Sequence, residues 1–270
     1  MTSGGAARRS RALGQAWMLG GCGVATAIGA WSLLAHAMAG GGGVINRLPS
    51  PLVVGAKLLA YARADLLVDL LASLKVFGAG WIIGVVAATL IGLLLGRVRT
   101  LGSIFLPVVE AIRPVSSIAW VPLSIVWFGF GFTSKIFLVG LAVFLVVIVY
   151  AVDGSTRIAA DVSRTTAMLG MNALQRFRYL ILPGTLTEVL IGARVALMSG
   201  WGTVIVAELV AADAGLGAHL IAVQQSYDVA AVVATMICFG VSGLVMNALF
   251  TWVEGALLPW RRAQHSEVET

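Results

Sequence analysis

Residues 136–152 read IFLVGLAVFLVVIVYAV, and residues 76–96 read VFGAGWIIGVVAATLIGLLLG, with no charged side chain in either run. A helix that crosses a hydrocarbon core of about 30 Å needs roughly 20 predominantly apolar residues, so each run predicts a membrane-spanning helix. Elsewhere in the chain, residues 12–46, 114–134 and 229–253 also lack Asp, Glu, Lys and Arg, and 189–212 is broken only by Arg194 and Glu208. The pattern predicts an all-α membrane protein with six transmembrane helices centred near residues 27, 86, 116, 144, 198 and 242. The third is the least regular, because Pro107, Glu110, Arg113, Pro114 and Pro122 interrupt it.

Composition excludes the other classes. Of the 270 residues, 59% are hydrophobic and 11% charged, with a mean hydropathy of +0.97. Soluble domains carry roughly a quarter charged residues, and disordered chains are poor in apolar ones. Cys22 and Cys238 both sit in apolar runs and build no disulfide framework. The net charge of +6 follows membrane topology rather than nucleic-acid binding. With the N-terminus inside, the cytoplasmic segments hold eleven arginines (at 8, 9, 11, 97, 99, 157, 164, 176, 178, 261 and 262), whereas the external ones hold only Arg47, Lys57, Arg63 and Lys135. Lysine and arginine in short loops favour the cytoplasm, so both termini are expected there. The expected layout is a cytoplasmic tail over 1–11, a first transmembrane helix over 12–39, an external loop over 40–66, a five-helix core over 67–260 and a cytoplasmic tail over 261–270. The apolar run after Arg11 exceeds the 7–15 residues of a signal-peptide core, so the first helix is expected to be retained.

The longest polar excursion between helices is 153–183, within the core. Asp161 or Ser163 can cap a short helix that reads Ser163-Arg164-Thr165-Thr166-Ala167-Met168-Leu169 and stops at Gly170, the residue best suited to the left-handed turn at a helix end. Asn172 can cap a second helix through Phe177 and Leu180. Pro183 forbids that helix to continue but suits the first turn of the next. Local features alone leave two readings open: an amphipathic hairpin on lipid headgroups, or a rigid knob projecting into the cytoplasm.

Gly170 followed by Leu182-Pro183, with Leu180 before them, resembles the conserved cytoplasmic loop of ABC-importer permeases. Two further stretches are similar to the nitrate/sulfonate/taurine branch of that family. One is Leu48-Pro49-Ser50-Pro51 with Ser73-Leu74-Lys75-Val76. The other is Arg113-Pro114-Val115-Ser116-Ser117-Ile118-Ala119-Trp120-Val121-Pro122-Leu123, followed by Trp127-Phe128-Gly129-Phe130-Gly131. These motifs run in order from about residue 48 to 258.

The resemblance implies the permease subunit of an importer in the bacterial inner membrane, with residues 163–170, Leu182 and Pro183 coupling it to a separate ATPase. It implies no cofactor on this chain, with ATP and magnesium held by a pair of ATPase subunits. The other implied partners are a second permease copy or paralogue and a periplasmic or lipid-anchored binding protein that delivers a small, anionic solute. The head of the loop departs from the family pattern, with Arg164-Thr165-Thr166 where the family has Glu-Ala-Ala. Rival readings are an osmoprotectant or amino-acid branch of the same permeases, and a self-powered secondary transporter, which would show internal repeats.

Ionisable groups at membrane depth are costly and face the bundle interior or a water-filled route. Glu110 and Arg113, spaced i,i+3, can pair with each other; alternatively Arg113 marks the inner mouth of an anion route. Arg194 and Glu208 lie about 21 Å apart along one helix, so each needs another partner. Glu208, Ser116, Ser117, Trp120 and Arg194 are candidates to line the pathway. No phosphate-binding GxxxxGK[ST] loop occurs, and the three histidines and two cysteines suggest no metal site. Gly240-Val241-Ser242-Gly243 imitates an intramembrane protease motif, but that chemistry needs a histidine base on a neighbouring helix at the same depth, and close helix packing explains the small residues better.

Overall fold

The computed structural model describes residues 22–23, 25–37, 48–168, 171–210 and 214–257, and among these the regular structure is entirely helical. Residues 25–37 form α1, the described part of the first expected span. The helices that follow are α2 Pro51–Arg63, α3 Leu66–Arg97, α4 Arg99–Ile112, α5 Val121–Phe128, α6 Phe132–Met168, α7 Ala173–Arg176, α8 Leu182–Val210, α9 Leu216–Gln225 and α10 Val229–Leu257. Four stretches are long and apolar enough to cross a membrane: Leu66–Arg97, Phe132–Arg157, Leu174–Leu209 and Val229–Gly255.

The third expected span is a broken pair rather than one rod. Arg99–Ile112 and Ser117–Phe128 meet at 98°. Pro114 lacks an N–H and so cannot extend the hydrogen-bond ladder of α4. Ser116 is extended (ψ 142°), and a short 3₁₀ turn, Ser117–Trp120, leads into α5. Pro122 sits in the first turn of α5, where a missing donor costs nothing. A second finding lies in the segment read as an external loop, which contains α2. Its signal was Ser50-Pro51, an N-cap type followed by proline at the first helical position.

The chain divides into two units. In the first, Met1–Ala64 with Ala222–Met236, Val54, Ala230 and Ala234 form a small core against which Trp31, Leu58 and Val233 pack. The second unit is Asp65–Ile221 with Ile237–Thr270, and α6 is its central rod, packed along both α3 and α8. Val139, Val143, Val147, Ile148 and Ala151 of α6 have no exposed surface. On α3 a small residue recurs every fourth position, at Gly80, Gly84, Ala88, Gly92 and Gly96, and this stripe faces α6. A Cβ on Gly84 would lie 2.6 Å from the Gly140 carbonyl oxygen. Lipid offers no hydrophobic drive for helices to associate, so close backbone approach through small residues holds them together by dispersion. The other face of α3 exposes Ile82, Ile83, Val86, Leu90 and Leu94, as a lipid-facing surface should.

Candidate functional site

Polar chemistry collects at the two ends of the second unit. At the Arg97 end, α6 runs unbroken to Met168, so Asp161 and Ser163 start no separate helix. Residues 153–168 contain no proline, and the single Gly154 is too weak an interruption to stop a helix already formed. The backbone of Ser163, Arg164, Thr165, Thr166, Ala167 and Met168 is therefore the last part of α6. Leu169 and Gly170 lie outside the described residues.

The chain returns through a capped turn. The Asn172 N–H donates to Gln175 Oε1 at 2.9 Å, so a glutamine at the third helical position caps α7 from within. Residues Phe177–Ile181 then form one turn of π-helix, with the Leu182 N–H donating to the Phe177 carbonyl. Pro183, next in line, has no N–H to give, and the wider turn accommodates the break in the ladder. Leu182 is half-buried and Pro183 exposed. The Arg97 guanidinium lies over the Phe177 ring, 5.3 Å from its centre. Both residues line a cavity of about 470 Å³ whose other walls are Leu90, Leu93, Leu94 and Leu174.

At the opposite end Glu208, with no exposed surface, is held by donors from two directions. The Ser73 hydroxyl lies 2.8 and 3.0 Å from the two carboxylate oxygens, and the Gly217 N–H donates at 2.8 Å. Ser73 Oγ in turn accepts the Leu216 N–H at 2.9 Å, and Asp69 Oδ1 accepts the Gly215 N–H at 3.2 Å. The first amides of a helix have no partner within it, and here α3 and α8 supply acceptors to the start of α9. Negative charge at that end of a helix is favoured. The Lys135 ammonium is near enough to act electrostatically on Glu208. Gly215 adopts φ 123°, and any Cβ there would collide with the Glu208 carboxylate, so glycine is required on both counts. The cluster joins α3, α6, α8 and the 214–217 turn into one polar knot.

The remaining candidates are dispersed. Arg194 finds Glu254 on α10, Nη1 to Oε2 at 3.4 Å. Among the described residues no ion pair joins Glu110 to Arg113, and both are exposed. Ser116 is exposed, whereas Ser117 Oγ lies 3.4 Å from the Thr203 hydroxyl. Trp120 packs with Ile125, Phe137 and Val206 around Val121, Leu138 and Ala207. Sequence reasoning missed Ser73 and Lys135 as partners of Glu208, and Asp69 as the acceptor of the Gly215 N–H. The available signal was Glu208 followed closely by Gly215-Leu216-Gly217, a carboxylate within reach of a helix start.

The fold and these two polar ends are those of a multi-pass membrane transport subunit. Residues 80–262 match the family described as "binding-protein-dependent transport system inner membrane component", and the chain belongs to it. Among its relatives is a probable ABC transporter permease protein of Brucella abortus (strain 2308), 32% identical over 238 residues, covering 88% of this chain and 93% of the relative. The taurine transport system permease protein of Escherichia coli (strain K12) is 32% identical over 228 residues, 82% of each. A putative aliphatic sulfonates transport permease protein of Bacillus subtilis (strain 168) is 28% identical over 253 residues, 92% of this chain and 89% of the relative. A crystal structure of an amino acid ABC transporter shares the fold, with a TM-score of 0.58 at 18% identity, covering 74% of this chain and 95% of the other.

Proposed function

We propose that this chain is the translocating subunit of an ATP-driven importer, working as a pair with a second copy or a paralogue. It passes a small anion delivered by a binding protein and draws its energy from separate ATPase subunits that dock on residues 163–170, Leu182 and Pro183. The observation that carries the reading is the family match over 80–262, together with relatives named for taurine and sulfonate transport. Geometry supports the coupling role. The segment joins α6 to α8, the two helices that pack along each other in the second unit, so a load on it reaches both. The arginine distribution supports cytoplasmic termini and the same side for this segment. Among the proposed pathway residues, Arg113 and Ser116 are exposed and suit a solute-contacting role. Glu208 contributes by shaping the end of the path rather than by facing it.

The test is co-purification and turnover. The chain should retain an ATPase subunit through detergent extraction, and Gly170→Val should abolish solute-stimulated ATP hydrolysis while membrane insertion stays normal. Wild-type stimulation in that variant, or labelling that puts a cysteine at residue 165 outside the cell, would overturn the coupling role.

A further inference from the structure

Lys135 is the fourth residue of α6 and only 6% exposed. Among the described residues its ammonium has no hydrogen-bonding or ion-pair partner. It lines a cavity of about 400 Å³ together with Lys75 of α3, whose ammonium is likewise unpaired among the described residues. The remaining wall is apolar, supplied mainly by Leu71, Ala72, Phe132 and Ala214, and no carboxylate contributes to it. Glu208, on which Lys135 acts electrostatically, has its oxygens turned to Ser73 and Gly217, and Asp69 Oδ1 accepts the Gly215 N–H. A buried ammonium that lacks a counter-charge is expensive. Lys135 has no direct partner among the described residues, and the exposed Lys75 adds a second positive charge at the same cavity, which leaves a positive surplus beside a space with greasy walls.

We propose that Lys75 and Lys135 form a binding site for a small oxyanion with a short alkyl tail, the sulfonate or carboxylate of the transported solute on its way into the chain. The charged head takes both ammonium groups, and Phe132 and Leu71 cover the tail. The inference rests on the importer reading and deepens it, because it assigns anion recognition to the membrane subunit itself. Lipid phosphate offers the same head-group chemistry, and the experiment separates the two sources.

The intact transporter, in nanodiscs of phosphatidylcholine, is treated with an amine-acetylating reagent, and lysine modification is followed by mass spectrometry. Ethanesulfonate at millimolar concentration should slow modification of Lys75 and Lys135 while leaving Lys57 unchanged, and the neutral ethyl methyl sulfone should not. Loss of one of the two charges predicts that Lys75→Gln raises the half-protecting concentration for Lys135 about fivefold, the scale of an exposed charge interaction, and Lys75→Arg restores it. Lys75 is exposed, so this variant does not disturb the buried Glu208 knot. Absence of protection by ethanesulfonate overturns the site. Protection that appears only when phosphatidylglycerol replaces phosphatidylcholine assigns the cavity to lipid and overturns it equally. Binding-protein-stimulated ATP hydrolysis, measured on the same sample, reports on the importer reading separately: if it persists without protection, only the oxyanion site falls.

Discussion

A carboxylate withdrawn from water must find donors within the chain, and Glu208 finds a hydroxyl and a backbone amide. Removing it strands those donors and leaves Lys135 without its opposing charge. Glu208→Ala should therefore destabilise the protein by about 3 kcal/mol, the usual range for breaking a buried charged network, and Glu208→Gln, which keeps the shape and one acceptor, by less. Ser73→Ala gives a local readout: hydrogen exchange of the Leu216 amide should rise on the order of tenfold, as for loss of one buried hydrogen bond. Unchanged exchange there would show that the knot does not hold the start of α9. Asp228 is the contrasting case, an acid at the surface. It accepts from Lys57 at 2.5 Å and from the Ala231 N–H at 3.0 Å, so it caps α10 and pins α2 in the first unit. The Lys57 hydrogen bond, helped by the Ala231 amide, holds its carboxyl below the usual range. A lowered native value means the stabilisation is complete above the ordinary carboxylate value near 4 and fades as pH falls through the depressed one. The pair is largely solvated, so its worth is under about 1 kcal/mol. The melting temperature should fall slightly more between pH 5 and pH 3 in the wild type than in Asp228→Asn, and an identical acid response in the two would remove the pair from the account.

At the scale of the element, the decisive feature is the stripe of small residues on α3. Gly84 and Gly78 lie on the same helix, yet a Cβ on Gly84 meets the Gly140 oxygen and Val143, whereas one on Gly78 meets nothing within 4 Å. Alanine favours helix over glycine by up to about 1 kcal/mol, so Gly78→Ala should be neutral or mildly stabilising. Gly84→Ala should cost about 1–3 kcal/mol through overpacking, and thermal unfolding in detergent distinguishes the signs. Equal effects would mean that α3 and α6 do not approach as closely as described. The stripe was readable as a four-residue repeat of small side chains, but only the neighbouring helix shows which face it buries. The broken third span is a similar case: its prolines were plain in the sequence, and the angle they produce was not.

For the whole molecule, span positions were legible because hydropathy is a property of each residue against its solvent. Charge-free runs at 76–96, 136–152 and 229–253 lie inside α3, α6 and α10. Partnerships were not legible, because they join distant residues: Ser73 and Glu208 are 135 positions apart, and Arg194 and Glu254 are 60. Intervals like these are set by how helices stack, and no local pattern encodes them. The two units also escaped the sequence, since each gathers two separate stretches of the chain that alternate with those of the other. The 37-residue length of α6 has a mechanical corollary. At 1.5 Å per residue the rod measures about 55 Å, with Lys135 on its opening turn and Met168 at its tip. No loop and no proline separates that tip from the lysine, so any displacement passed between the two ends has continuous helix as its shortest covalent route.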